Sequence, residues 1–142
     1  MTDKLNVENL VCFKLYVCAK EITRKYTPYL KPYGLTYTQY IVLLTIHEYK
    51  NINIKKLGDI IYLDSGTLSP LLNKLETKKL ISKEKDQKDD RLICVSLTQK
   101  GIDLYNKAKN VHNEVGSCLK LSSSNKSKFL KELNVLLNNI EN

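Results

Sequence analysis

Four cysteines are the residues with the most distinctive chemistry in this 142-residue chain. They stand at positions 12, 18, 94 and 118, and no two of them form a Cys-x-x-Cys pair. That spacing does not favour a zinc site, so we expect no metal and no cofactor. The sequence shows no signal peptide and no apolar run of about 20 residues, which predicts a cytoplasmic protein with reduced thiols. The cysteines are therefore either buried apolar side chains or redox-active thiols.

Cys12 lies in a stretch whose apolar residues follow helical spacing from Val7 to about Leu30. At about 100° per residue, Tyr16 and Tyr26 each lie roughly 40° from Cys12 around such a helix, so the three side chains share one face. A tyrosine hydroxyl can stabilise a thiolate by donating a hydrogen bond to it, which would make Cys12 reactive. The alternative is a core cysteine on an apolar helix face, the commoner fate of a lone cysteine.

A second group of polar side chains lies in a stretch that predicts two short helices joined by a tight turn. Apolar residues recur at helical spacing from Ile54 to Ile61 and again from Leu68 to Leu75, with the N-cap candidate Asp64 between them. This pattern is typical of a helix-turn-helix, whose second helix can present polar groups to base edges in a major groove. An ordinary helical hairpin with a polar solvated face is the alternative. The candidate reading residues are Ser65, Thr67, Ser69, Asn73 and Lys74.

The segment after this pair of helices predicts a β-hairpin. An extended stretch ends near Lys85, a polar turn covers 86–90, and a β-branched run extends from Arg91 to Leu97. A hairpin directly after a helix-turn-helix makes a winged helix, in which the hairpin tip reaches the DNA backbone or the minor groove. The favoured partner is therefore double-stranded DNA.

The charge balance agrees with a polyanionic partner. The formal net charge is +8 and the isoelectric point is about 9.2, which favours nucleic acid over acidic partners. A lysine-rich composition that merely reflects an AT-rich genome is the alternative. Arginine is scarce, with only Arg24 and Arg91, so Arg91 at the hairpin is more informative than any single lysine.

Three motifs resemble the MarR family of dimeric bacterial transcription regulators: Asp64-Ser-Gly-Thr-Leu-Ser-Pro-Leu-Leu72, Asp89-Asp-Arg91, and Leu97-Thr98 with Gly101. Leu10-Val-Cys-Phe-Lys-Leu-Tyr16, with tyrosines downstream, is similar to the organic-hydroperoxide-sensing subgroup of that family (the OhrR and SarZ type). The resemblance runs from about residue 8 to the last helix. It implies a DNA-binding transcription regulator that acts as a repressor, and no enzyme.

The resemblance implies a fold that is mainly α with a small β wing, in one domain over residues 1–142. The winged helix-turn-helix lobe would occupy about 34–98, and dimerisation helices would occupy about 7–30 and 99–141. Within these bounds, Thr36-x-x-Gln39 predicts a capping box that opens a buried helix, and Thr98 would cap one helix from Gln99 to about Leu119. The last helix carries more apolar residues than the chain can cover, which favours a symmetric homodimer.

For DNA, the resemblance places Arg91 at the minor groove of an AT-rich, inverted-repeat operator, with Asp89 orienting its guanidinium. The alternative for this pair is a surface salt bridge inside the hairpin. Pro70 favours a helix start at Ser69, whereas the family begins this helix near Ser65, and we adopt the earlier start. Phosphate contacts are expected from Lys74, Lys83, Lys85 and Lys88.

For sensing, the resemblance makes Cys12 the cysteine that organic hydroperoxides oxidise, with Tyr26 and Tyr37 reaching it across the dimer. Cys118 falls near the resolving cysteine of two-cysteine members, which implies an intersubunit disulfide and release of the operator. If Cys118 is structural, a small cellular thiol would cap the sulfenate instead. Cys18 and Cys94 are expected to be packing residues. The walls of the thiol pocket would include Phe13, Tyr16 and Tyr40.

Three other functions remain open at the level of sequence. A thiol peroxidase would share a reactive Cys12 but needs an arginine-assisted nucleophile, and Arg24 lies 12 residues away along the helix. A MarR-type regulator released by a small phenolic ligand would have the same fold, with Cys12 structural. A winged helix used for protein contacts would show no salt-dependent binding to DNA.

Overall fold

Residues 4–142 are described by a computed structural model of the chain, in which helices dominate over one small sheet. The helices are α1 (Val11–Leu30), α2 (Tyr37–Tyr49), α3 (Ile54–Ile61), α4 (Ser65–Thr77), α5 (Gln99–Ala108), α6 (Val111–Leu119) and α7 (Ser123–Glu141). The strands are β1 (Asn51–Asn53), β2 (Ile81–Lys85) and β3 (Ile93–Leu97), and 3₁₀ turns cover Val7–Asn9 and Lys31–Tyr33. The predicted fold class, mainly α with a small β wing, is confirmed. None of these helices is long and apolar enough to span a membrane.

The chain divides into two compact units, one that reaches to Val111 and one from His112 to Asn142. The first holds α1 to α5 and the sheet. The second holds most of α6 and all of α7, which begins where the Ser122 hydroxyl accepts a hydrogen bond from the Asn125 backbone N–H at 3.3 Å. As predicted, apolar side chains of α7 remain exposed: Phe129, Leu130, Val135, Leu137 and Ile140.

α2 is the central helix of the first unit. Its predicted capping box is confirmed, because the Thr36 hydroxyl accepts from the Gln39 N–H at 3.3 Å and the Gln39 side-chain oxygen accepts from the Thr36 N–H at 3.1 Å. This pair satisfies two backbone donors that a helix start leaves open. The helix interior is apolar on almost every side, and Val42, Leu43 and Ile46 are fully buried or nearly so.

The N-terminal helix starts later than predicted. Helical spacing from Val7 predicts one continuous helix, but Val7–Asn9 forms a separate 3₁₀ turn and α1 begins at Val11. The Asn6 side chain accepts a hydrogen bond from the Glu8 N–H at 3.1 Å, which caps the short turn, and Leu10 adopts an extended conformation between the two elements. A local side-chain cap thus overrides the apolar periodicity.

The helix predicted from Gln99 to Leu119 is wrong as a single element, because α5 ends at Ala108 and α6 begins at Val111. At the break, the carbonyl of Lys109 accepts a hydrogen bond from the hydroxyl of Tyr40 at 3.3 Å. This partner lies 69 positions earlier in the sequence. The break therefore depends on a tertiary contact that no local pattern could reveal.

The sheet is antiparallel with the order β1-β3-β2, so β3 is its central strand. Val95 is fully buried and is the register partner of Ile52 on one side and Lys83 on the other. The predicted hairpin is formed by β2 and β3. β1 was not predicted, since three residues with polar ends are too short to show an alternating pattern.

A close backbone contact joins the hairpin to α5. The Thr98 N–H donates to the Leu80 carbonyl at 3.0 Å, and the Thr98 hydroxyl donates to the Lys79 carbonyl at 2.6 Å while accepting from the Gly101 N–H at 3.1 Å. Thr98 therefore caps α5, as predicted, and also holds the start of β2. A Cβ added at Gly101 would lie 2.1 Å from the Leu80 carbonyl oxygen, which only a glycine avoids.

Gly101→Ala should destabilise the fold, because the new methyl group overlaps a backbone carbonyl that cannot rotate away. We expect a loss of about 1–3 kcal/mol in the free energy of unfolding, measured by urea denaturation followed by circular dichroism. Gly116→Ala is the control, since no heavy atom lies within 4 Å of its added Cβ and alanine favours a helix. Equal stability of the Gly101 variant and the wild type would contradict the packing described here.

Candidate nucleic-acid interface and thiol region

α4 begins where the family resemblance implied. The Asp64 carboxylate accepts from the Thr67 N–H at 2.8 Å, and the helix starts at Ser65 despite Pro70 inside it. A proline has no N–H to donate, so the helix forms one backbone hydrogen bond fewer. Burial of Leu68 and Leu72 holds the helix in place and outweighs that loss.

The predicted reading residues lie on the exposed surface of α4. Its buried stripe, Leu68, Leu72 and Leu75, packs into the first unit. The remaining face carries small hydroxyl and amide groups with one lysine, which leaves room for a nucleic acid to approach the helix. These exposed residues are Ser65, Thr67, Ser69, Asn73 and Lys74.

One lysine of the wing lies against this helix. The Lys83 ammonium donates to the Asn73 side-chain oxygen at 2.6 Å and forms an ion pair with the Glu76 carboxylate at 3.7 Å. Its side chain is only 20% exposed, whereas Lys74, Lys85 and Lys88 are exposed. Sequence reasoning placed Lys83 with the phosphate-binding lysines and could not anticipate these two partners, because they lie on another element.

Asp86 organises the tip of the wing, a role that the sequence analysis missed. Its carboxylate accepts from the backbone N–H groups of Lys88 at 2.7 Å and Asp89 at 3.2 Å. The Lys88 hydrogen bond is the main cause of a lowered pKa at Asp86. An aspartate at the start of a polar turn is a known signal for such side-chain-to-backbone bonds and could have identified it.

The thiol of Cys94 also donates to Asp86, at 3.4 Å. Burial raises the pKa of this thiol, and the neighbouring Asp86 carboxylate raises it further. A thiol that keeps its proton is a poor nucleophile. Cys94 is thus a packing residue, as predicted, that links β3 to the turn.

Asp89 and Arg91 form the predicted charge-assisted pair. The Arg91 Nε donates to Asp89 Oδ1 at 3.1 Å and Nη2 donates to Oδ2 at 3.2 Å, and the Arg91 backbone N–H donates to the same carboxylate at 3.0 Å. The side-chain bond to Arg91 is the main cause of a lowered pKa at Asp89, so the pair stays charged at neutral pH. The Arg91 side chain is 89% exposed, which leaves the oriented guanidinium at the surface of the wing.

Three of the predicted pocket tyrosines come together at the junction of α1 and α2. The ring of Tyr26 lies 4.7 Å from that of Tyr37 and 6.0 Å from that of Tyr40. Burial raises the pKa of Tyr26 and Tyr37, and for Tyr26 the neighbouring tyrosines add to this effect. The two phenols therefore keep their protons and can act as hydrogen-bond donors at neutral pH.

The other predicted pocket residues lie at the opposite end of α1. Cys12, Phe13 and Tyr16 are exposed near the start of the helix. The 14 residues from Cys12 to Tyr26 correspond to about 21 Å of helix, so one chain does not bring the thiol to the tyrosine cluster. A single chain therefore does not assemble the predicted thiol pocket.

The two other cysteines are both exposed. Cys118 is exposed on α6, and its thiol lies 3.5 Å from the Glu114 carbonyl within that helix. Cys18 is exposed as well, so the prediction that it is a packing residue is wrong within one chain. The reason is that α1 is covered on a narrow face, with Leu30 its one fully buried residue among the twenty of the helix.

Comparison with known proteins shows similarity over most of the chain. The family model described as transcriptional regulator SarA/Rot matches residues 24–108. The HTH-type transcriptional regulator SarZ of Staphylococcus epidermidis is 43% identical over 123 residues, which cover 87% of this chain and 83% of the relative.

Solved structures of DNA-bound proteins are also similar to this chain over most of its length. Reduced AbfR bound to DNA has a TM-score of 0.78 and 29% sequence identity, covering 96% of this chain and 95% of that one. Overoxidized AbfR bound to DNA has a TM-score of 0.75 and 32% identity, with 94% of each chain covered.

The thiol of Cys94 should react slowly with iodoacetamide at pH 7 in the folded protein, because it is buried and its pKa is raised. Asp86→Ala removes the carboxylate that raises this pKa and loosens the turn, so we expect alkylation of Cys94 to become at least severalfold faster. Peptide mass spectrometry over a time course measures the rate. Asp90→Ala, an exposed aspartate in the same turn, is the control and should leave the rate unchanged. Rapid alkylation of Cys94 in the wild type would rule out its shielded position.

Proposed function

We propose that this chain, which belongs to the SarA/Rot family, binds double-stranded DNA as a redox-controlled homodimer. It is a MarR-like transcription regulator of the SarZ type and not an enzyme. In the proposed cycle, the reduced protein holds an AT-rich, inverted-repeat operator in the cytoplasm and represses transcription. Oxidation of Cys12 by an organic hydroperoxide releases the DNA.

The main support for DNA binding is the exposed polar face of α4. It lies beside the wing, where Asp89 already orients the Arg91 guanidinium. The Arg91 guanidinium donates two hydrogen bonds to Asp89, so it would lose less conformational entropy when it enters a minor groove. A narrow AT-rich groove concentrates the negative potential that attracts it. The exposed lysines of α4 and the wing would add contacts to phosphates.

Exposed apolar surface supports the homodimer. α7 exposes a row of large apolar side chains, and the start of α1 exposes Val11 and Phe13. Soluble monomers rarely leave such surface in water. A second copy, related by a two-fold axis, would cover it and set two α4 helices about 34–36 Å apart, one turn of DNA.

The redox step rests on the positions of Cys12 and the tyrosines. In a dimer, the partner's tyrosine cluster would supply phenol hydrogen-bond donors to the Cys12 sulfur. The Cys12 thiolate would attack the hydroperoxide, releasing the alcohol and leaving a sulfenic acid after uptake of one proton. The Cys118 thiol of the partner subunit would then displace water to form a disulfide, twice by symmetry. The similar protein AbfR has been solved in a reduced and in an overoxidized form, both bound to DNA, which supports oxidation chemistry in this fold.

A surface cavity supports a second candidate, release by a small phenolic ligand with Cys12 structural. The cavity measures about 430 Å³, and its lining combines the apolar residues Leu80 and Leu104 with three lysines and one carboxylate, Asp103. Such a lining suits an aromatic carboxylate or phenolate. The lysines are Lys78, Lys100 and Lys107.

Arg91→Ala should weaken binding to operator DNA by at least about tenfold, because the oriented cation at the minor groove is lost. Fluorescence anisotropy at fixed salt, with a duplex selected from a randomised library, measures the dissociation constant. Arg24→Ala is the matched control, since it removes the chain's other arginine, an exposed residue on α1 paired with Glu21. A loss of much less than tenfold for Arg91→Ala would rule out the minor-groove role.

Treatment with about one equivalent of cumene hydroperoxide should give a covalent dimer on a non-reducing gel, because the proposed disulfide joins two subunits. Cys12→Ser and Cys118→Ser should each abolish this dimer, and Cys18→Ser is the control that should retain it. Intact mass spectrometry distinguishes the routes. With glutathione added after the hydroperoxide, a mixed disulfide at Cys12 without Cys118 would indicate capping by a small thiol. An unmodified Cys12 would overturn the redox proposal in favour of ligand-induced release.

A further inference from the structure

Asn73 is the one amide on the exposed face of α4, and its orientation is set by the wing. The Lys83 ammonium lies 2.6 Å from the Asn73 side-chain oxygen. An ammonium group has only hydrogens to offer, so the atom of the amide that faces it must be the carbonyl oxygen. The Nδ2 group of Asn73 consequently points away from Lys83, and the amide presents its two N–H donors.

Lys83 is well placed to keep this orientation. The Lys83 side chain is only 20% exposed. Its ammonium has a second partner besides Asn73, the Glu76 carboxylate at 3.7 Å. Glu76 is one helical turn after Asn73, so both partners of Lys83 stand on the same edge of α4. The ammonium is bound at both contacts, unlike the exposed lysines of the wing, and its position is determined by α4.

From this contact we infer that Lys83 is a positioning residue that makes Asn73 select guanine in each half-site of the operator. This inference rests on the proposed binding of α4 in a major groove. A free asparagine amide pairs best with adenine, accepting from N6 and donating to N7. With its carbonyl oxygen bound to an ammonium, Asn73 presents donors and a neighbouring positive charge.

Guanine is the base whose major-groove edge suits such a group. It offers two acceptors, N7 and O6, and no donor there. Adenine and cytosine each present an amino group, which would meet the donors of Asn73 without a partner, and thymine offers one acceptor beside a methyl group. The Lys83–Asn73 pair therefore discriminates against the base that asparagine alone would prefer.

Selection of duplexes from a randomised library tests the inference. The wild type should enrich an inverted repeat with one guanine per half-site that Asn73→Ala no longer selects. Lys83→Met should shift this position towards adenine, because the released amide can pair with both N6 and N7. Lys83→Arg should retain guanine, since a guanidinium also has only donors. Anisotropy on two duplexes that differ at that base should give a guanine preference of about tenfold, lost in Lys83→Met.

Lys85→Met is the matched control on the same strand. Lys85 is exposed, so its loss should weaken binding equally for all sequences, reduce the salt dependence by about one counterion and leave the base preference unchanged. Thermal unfolding of each variant checks that the fold is intact. If Lys83→Met folds and behaves like Lys85→Met, Lys83 is a phosphate contact and the inference is overturned. If the wild type enriches no sequence and shows no salt-dependent binding, the proposed function fails as well.

Discussion

The contact of Thr98 with the backbone of Lys79 and Leu80 is the constraint on which the rest of the first unit depends. The end of α4, the start of β2, the end of β3 and the first turn of α5 meet within a few residues of it. Thr98 binds both carbonyls and caps α5, and Gly101 allows the approach because it has no Cβ. The position of the wing relative to α4 thereby depends on the hydrogen bonds that the Thr98 backbone and hydroxyl donate to two backbone carbonyls.

With the backbone fixed by this contact, a few polar contacts determine the orientation of the surface side chains. Exposed ion pairs such as Asp89 with Arg91 contribute little to stability, because water screens the attraction between the two charges. Their effect is on orientation: Asp89 directs the guanidinium, Asp86 shapes the turn, and Lys83 directs the amide of Asn73. The proposed interface is thus arranged before any nucleic acid binds, which would lower the entropy that binding must overcome.

Local patterns in the sequence predicted most of the fold and part of the site. The capping box at Thr36 and the N-cap at Asp64 are short-range signals, and each formed as expected. What could not be predicted depends on partners far apart in the chain, such as the Tyr40 hydroxyl that ends α5 or the ammonium of Lys83 against α4. The burial of individual cysteines could not be predicted either. Cys18 is exposed, and no pattern in the surrounding sequence marks its face of α1 as exposed.

Pro70 divides the reading helix into two parts with different mechanical character. The first turn, with Ser65, Thr67 and Ser69, is joined to the rest through one backbone hydrogen bond fewer, whereas Asn73 is tied to the sheet through Lys83. In the proposed complex with DNA, the first part would adjust to several base sequences, whereas the second would not. The operators would accordingly vary at the bases under the first turn and stay constant at the base under Asn73.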